Sequence, residues 1–282
     1  MTSTFRLADN IVHRVGFGAM QLPGPGVFGP PRDHATALRV LRRAVELGVD
    51  HIDTAQFYGP DVANQLIFEA LHPYPEQLVL VTKVGGRRDS SGGWLSAQRP
   101  DELRAGVLEN LASLSLDRIP VVNLRRHPGG DVDFGEQLDA MIALRDEGLI
   151  GGVGLSTVTI DEYRLATART TIACVQNAFS VVDRSDVEVF NACRTDGVAY
   201  VPYFPLGSAF NPSNPVLGNP AVQAVAQRLG ATPAQVALAW LLAAGDNVLL
   251  IPGTSSMEHL EENVAAQAVV LTDADLAAIT TP

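Results

Sequence analysis

The sequence predicts a (β/α)8 barrel, and three observations lead there. Short apolar runs alternate with amphipathic stretches from residue 15 onward, and eight such runs fit within the 282 residues. The Pro- and Gly-rich patches GPGVFGPP (24–31) and NPSNPVLGNP (211–220) each follow a run, where barrels carry the loops of their active sites. With 46% hydrophobic residues the chain buries one large core, and no linker divides it, so residues 1–282 are expected to form a single domain.

The elements follow in order. FRLADNIVHRV predicts an N-terminal β-hairpin turning around Asp9 and Asn10. The barrel strands are expected at VGFGAM (15–20), VDHIDTA (49–55), LVLVTKVG (78–85), IPVVNLR (119–125), IGGVGLS (150–156), IACVQNAF (172–179), VAYVPYFPLG (198–207) and NVLLIPGT (247–254). Helices fill the gaps. DHATALRVLRRAVELG has a capping acid at Asp33 and stops at Gly48, PDELRAGVLENLASL sets Pro100 ahead of two acids, and FGEQLDAMIALRDEG stops at Gly148. TPAQVALAWLLAAG opens on Thr-Pro and ends on Gly, and extra helices are expected near the C-terminus, one over 220–229. The alternative, a doubly wound Rossmann sheet, requires a Gly-rich fingerprint, and GFGAMQ at 16–21 lacks its third glycine.

Composition narrows the function classes. The net charge of −11 disfavours nucleic acid and anionic membrane surfaces as partners. The N-terminus has no basic-then-apolar leader pattern and no window approaches the ~20 apolar residues of a membrane span, so a cytoplasmic protein is expected. Cys174 and Cys193 lack metal-ligand or disulfide spacing and are expected as small buried apolar residues. His51 and His72 carry no expected role, and Met141 reads as packing.

In a barrel, polar residues at the C-terminal strand ends converge on one mouth. Asp53 ends the second strand, Tyr58 follows in its loop, Lys83 ends the third strand, and Arg125 ends the fourth with His127 just beyond. Carboxylate, phenol and ammonium in a partly dry pocket form a proton-donating set. A phenol of pKa ~10 becomes a useful general acid when a neighbouring ammonium favours its phenolate, and a carboxylate keeps that ammonium charged. The same residues also suit a structural ion pair with Tyr58 packed on Phe57 or Pro60, or a Schiff-base lysine at Lys83 as in aldolase-type barrels.

The segments VGFGAMQLPGPGVFGPPRD, HIDTAQFYGP, LVLVTKVG, VVNLR, VGLS, VQN, YVPYFPLG and IPGTSSMEHLEENV, in that order, resemble the aldo-keto reductase superfamily over nearly the whole chain. They look most like its bacterial pyridoxal reductase group. The resemblance implies a (β/α)8 barrel, a nicotinamide cofactor extended across the mouth, and reduction of a small carbonyl substrate, with pyridoxal to pyridoxine as the specific expectation. It matches Asp53, Tyr58 and Lys83 to three members of the family's catalytic tetrad, with Tyr58 the proton donor. The fourth member is usually a histidine. Ungapped counting puts Arg125 there, with His127 two residues on and so on the same strand face; Arg125 is favoured as a permanently charged donor to the carbonyl oxygen.

The resemblance also implies cofactor contacts. Ser156 and Gln176 match residues that bind the nicotinamide carboxamide, and Thr157 stands where the family has asparagine. Tyr203 matches the aromatic that stacks on the nicotinamide, and Leu206 and Gly207 begin the pyrophosphate loop. Thr254, Ser255 and Ser256 precede a helix start suited to a phosphate, while Glu262 and Asn263 match adenine contacts. NADPH is the expected cofactor, with NADH the alternative, because Gly253 and His259 replace a lysine and arginine of many relatives and Glu261 replaces an arginine of the pyridoxal reductase group. Phe28 and Trp94 are expected as exposed-loop aromatics over the substrate. Two other functions compete: a Schiff-base lyase, and a slow NADP(H)-binding sensor of the channel β-subunit type.

Overall fold

The computed structural model describes residues 3–127, 132–207 and 214–280. The stretch 211–213 of the NPSNPVLGNP patch, and Pro128 and Gly129 after His127, lie outside the described residues.

The first two strands, β1 (Thr4–Leu7) and β2 (Asn10–His13), form the N-terminal hairpin. Leu7 pairs with Asn10, so the turn occupies Ala8 and Asp9, one residue earlier than expected. The main sheet is parallel and contains β3 (Phe17–Gly18), β4 (His51–Asp53), β5 (Val79–Val84), β8 (Ile119–Arg125), β9 (Ile150–Ser156), β10 (Ile172–Gln176) and β11 (Ala199–Tyr200), in the order β11-β10-β9-β8-β5-β4-β3. The eighth expected strand is present as two isolated bridges, Tyr200 with Val248 and Val15 with Leu250. Its backbone bonds to both sheet edges, Leu249 N to Tyr200 O at 2.9 Å and Gly16 N to Leu250 O at 2.8 Å, so the ring closes. Between β5 and β8 lies an unexpected small hairpin, β6 (Gly86–Arg88) and β7 (Trp94–Ser96).

The helices are α1 (His34–Glu46), α2 (Val62–Leu71), α3 (Pro100–Leu114), α4 (Phe134–Asp146), α5 (Ile160–Arg169), α6 (Val187–Asp196), α7 (Pro220–Leu229), α8 (Pro233–Ala244), α9 (Met257–Ala265) and α10 (Asp273–Thr280). The start signals act as expected: Asp33 accepts from Thr36 N at 2.9 Å, and Thr232 with Gln235 forms a capping box on α8. None of the described helices is long and apolar enough to cross a membrane.

Strand alternation decides which residues reach the barrel interior. On β5 and β8 the outward Leu80, Val84, Val122 and Leu124 pack among helix residues such as Leu66, Leu103, Leu138 and Met141. The inward Val79, Val81 and Val121 meet Leu7 and Val12 of the hairpin, which plugs the lower end. The same inward columns end in Lys83, two residues past Val81, and in Arg125, four past Val121 with Asn123 between. On β9 the inward column is Gly152, Gly154, Ser156. A Cβ on Gly154 would lie 1.9 Å from Asn123 Oδ1, so the interior there is already full and the column stays bare until Ser156. Both cysteines are buried, and burial pushes their thiols up, Cys193 to about 12.

Candidate active site

At the C-terminal ends of the strands lies a cavity of about 380 Å³. Asp53, Tyr58, Lys83, Trp94, Arg125 and His127 line one side of the set, and Ser156, Gln176, Tyr203, Leu206, Gly207 and Gly253 complete the expected lining. Strand register brings these together: Asp53 sits opposite Val81, Lys83 opposite Asn123, and both Arg125 and Gln176 opposite Ser156. Arg126, between the two inward candidates, points away and pairs with Glu162 at 2.8 Å.

The Lys83 ammonium bonds Asp53 Oδ1, and both side chains are only 5% exposed. It also donates to Thr54 O at 3.1 Å and lies 5.0 Å from the centre of the Tyr58 ring. Burial by itself pushes the ammonium down, but the Asp53 carboxylate and the Tyr58 phenol outweigh it, and the group is held above the ordinary lysine value. A Schiff base needs a neutral amine, which this arrangement opposes. Tyr58 packs edge-to-face on Phe57 at 5.4 Å, and Phe57 on Trp94 at 5.6 Å. Gly59, at φ +113°, turns the chain away directly after the phenol; a Cβ there would lie 2.3 Å from that of Val62.

Two features escape a linear reading. Gln176 Nε2 donates to Asp53 Oδ2 at 2.5 Å, so one of its two amide N–H groups is committed to the carboxylate. Behind the strands, buried Asn110 of α3 accepts from Thr82 Oγ1 at 2.6 Å and from Asn64 Nδ2 at 2.9 Å, and donates to Gln56 Oε1 at 2.9 Å. Thr54 Oγ1 donates to Asn64 Oδ1 at 2.8 Å. This network grips the residues beside Asp53, Lys83 and Phe57. Gly18, Met20, Gln21, Phe204, Pro205, Ile251 and Pro252 also line the cavity without having been singled out. Gly18, Met20 and Gln21 fall in GFGAMQ, at the C-terminal end of the first expected strand, which is the sequence signal for their place at the mouth.

The remaining candidates lie around this centre. Thr157 is exposed, in the left-handed region at φ +61°. Ser255 lines a neighbouring cleft of about 410 Å³ beneath residues 20–37. Ser256 Oγ accepts from His259 N at 3.3 Å and caps α9, and Thr254 Oγ1 accepts from Ser256 N at 3.0 Å and holds the turn before it. His259 is exposed, Glu262 half-buried and Asn263 buried. Glu261 pairs with Arg43 of α1 at 2.9 Å. The expectation of exposed aromatics is corrected: Trp94 and Phe28 are both half-buried. Trp94 is held on β7 as part of the cavity wall, whereas Phe28 bridges to Gly59 and lies against Arg88, anchoring its own loop and not lining the cavity.

Comparison with known proteins agrees with this architecture. The model of the aldo/keto reductase family matches residues 14–281. The chain is 48% identical to pyridoxine 4-dehydrogenase of Escherichia coli over 277 residues, 96% of this chain and 95% of that one. In structure it resembles a thermostable aldo-keto reductase solved with the inhibitor epalrestat, at TM-score 0.83 and 25% identity with 99% of both chains covered. It also resembles an aldo/keto reductase from Klebsiella pneumoniae solved with NADP and acetate, at TM-score 0.82 and 24% identity with 99% of this chain and 94% of that one covered. A closed parallel barrel, a charged pair beneath a tyrosine at its mouth, and a family match across nearly every residue agree: the chain belongs to the aldo/keto reductase family.

Proposed function

We propose that the protein is an NAD(P)H-dependent aldehyde or ketone reductase that protonates its substrate oxygen from Tyr58, with pyridoxal to pyridoxine as the specific conversion. The observation that carries this is the buried Asp53–Lys83 pair beside Tyr58 in the cavity wall. Tyr58 holds its proton at Oη and delivers it to the carbonyl oxygen; Lys83, kept charged by Asp53, stabilises the phenolate left behind. Arg125 polarises the same oxygen, and His127 is the second candidate for that place. The name of the relative at 48% identity, pyridoxine 4-dehydrogenase, supports the substrate.

The cavity suits a nicotinamide. Gln176 Oε1 and the Ser156 hydroxyl make no bond to any described residue and lie in its lining, offering one acceptor and one donor to a carboxamide. Ser156, Gln176 and Tyr203 would hold that end, Leu206, Gly207, Gly253 and residues 254–256 the phosphates, and Glu262 with Asn263 the adenine, with His259 on the same helix. Bound there, the reduced nicotinamide supplies the hydride. NADPH is the preferred form, because Arg43 already offsets the Glu261 carboxylate.

The test is oxidation of NADPH and NADH with a panel of aldehydes including pyridoxal. Turnover of pyridoxal with a lower KM for NADPH is expected, and Tyr58→Phe should lose at least ~100-fold in kcat. No oxidation with any aldehyde, or intact turnover in Tyr58→Phe, sinks the proposal; a hundredfold preference for NADH overturns the cofactor assignment alone.

A further inference from the structure

Arg125 stands apart among the cations near the cavity. Lys83 is held by Asp53, Arg126 by Glu162, and Arg88 by the carbonyls of Gly92, Val27 and Gly26, each at 3.0 Å. The Arg125 guanidinium meets aromatic faces instead, with Cζ 5.4 Å from the centre of Trp94 and 5.9 Å from that of Phe57. No carboxylate among the described residues pairs with it. Its strand end is pinned by Gln98 Nε2, which donates to the Arg125 carbonyl at 3.0 Å.

The charge balance of the cavity follows. Asp53 is the only acid among the described residues of its lining, and both of its oxygens are engaged, one by Lys83 and one by Gln176. The Asp53–Lys83 pair cancels, leaving the Arg125 charge without a counter-ion among the described residues of a half-buried, aromatic-walled space, although the whole chain carries −11. No described residue accepts a hydrogen bond from the guanidinium, and its N–H donors match a planar pair of oxygens.

We propose that Arg125 binds an anionic oxygen adjacent to the reacting carbonyl, so that the preferred substrates are aromatic aldehydes with an ionised ortho-hydroxyl. The flat ring lies among Trp94 and Tyr203, the carbonyl oxygen reaches Tyr58, and the neighbouring phenolate takes the guanidinium. This deepens the reductase reading and rests on it for turnover. Pyridoxal, whose hydroxyl neighbours its aldehyde, belongs to the class.

The experiment compares 2-hydroxybenzaldehyde, assayed at a pH above that of its hydroxyl's ionisation so that it is a phenolate, with 2-methoxybenzaldehyde, which cannot ionise, at the same pH in the wild type and in Arg125→Met and Arg125→Lys. The wild type is expected to favour the hydroxy compound by about ten- to a hundredfold in kcat/KM, the range for hydrogen bonds to a charged group. Arg125→Met should collapse that ratio to within about threefold and Arg125→Lys should keep part of it. The ratio cancels any loss common to both substrates, so it separates anion binding from a general role in polarising carbonyls. Calorimetric binding of the two aldehydes gives a readout that does not depend on turnover. Equal kcat/KM and equal affinity in the wild type, or a ratio unchanged in Arg125→Met, overturns the proposal. Absence of any reduction with the binding preference intact overturns only the reductase reading.

Discussion

Replacing Asp53 by asparagine keeps the shape of the side chain and removes its charge, and the structure gives the consequences. Asp53 accepts from two donors, Lys83 Nζ and Gln176 Nε2. Asparagine has one oxygen for the pair, so its own N–H group must face one of them. Lys83, only 5% exposed, loses its counter-ion and keeps the Thr54 carbonyl. Removing one partner of a buried pair costs ~3–5 kcal/mol. The pH dependence should change sign. In the wild type the Lys83 pKa is raised, so the pair's stabilisation is complete below the unfolded lysine value of ~10.4 and is lost only as pH rises through the folded value. In Asp53→Asn burial dominates and the folded value falls below the unfolded one, so the unfolded chain binds more protons and stability should rise with pH from neutrality toward ~10. Urea unfolding at several pH values between 7 and 10, with kcat measured alongside, is the assay. A loss under ~1 kcal/mol at pH 7 with a flat wild-type-like slope would refute the reasoning that the carboxylate keeps Lys83 charged.

Two further changes test the scaffold. Asn110→Ala removes the hub that joins Thr82, Asn64 and Gln56 and leaves Gln56 Oε1 without its donor; a loss of ~2–4 kcal/mol by denaturant unfolding is expected, with kcat falling more than KM changes. Wild-type stability in this variant would show that the network is ornamental. Gly16→Ala places a Cβ 2.2–2.5 Å from the buried His51 ring, and ~1–3 kcal/mol should be lost. His51→Ala in the same chain should return most of it, and simple additivity of the two losses would count against the clash.

What was legible depended on whether a signal was local. β8 and β9 appear over the residues expected, because each is a continuous run bounded by turn residues, while β3 and β11 shrink to two residues where the chain bends into the mouth. The hairpin β6–β7 was missed since GGRRDSSGGW has the composition of a loop; what orders it is Arg88 stacking 4.0 Å from Trp94 and bonding three carbonyls, which no spacing rule shows. Asp53, Tyr58 and Lys83 were legible as strand-end residues. The Asn110 network was not, because its members come from β5, the residues after β4, α2 and α3, and polar residues in amphipathic helices ordinarily face solvent.

The sequence leaves two readings of Asp53 and Lys83 open, a structural pair or a proton-donating device, and under the proposed function one pair serves both. Burial opposes the Lys83 charge while the Asp53 carboxylate and the Tyr58 phenol hold it in place, and a charged ammonium is what the proposed proton donation from Tyr58 requires. The departure at Thr157 fits the same economy of partners. A carboxamide presents N–H groups and one carbonyl, and the cavity offers Gln176 Oε1 to accept and the Ser156 hydroxyl to donate, while one of the two Gln176 N–H groups is held by Asp53. In the proposed cofactor pose, position 157 makes no required contact. It holds a β-branched residue in a left-handed turn that asparagine adopts more readily, so the cost of having threonine there falls on the backbone and not on the site.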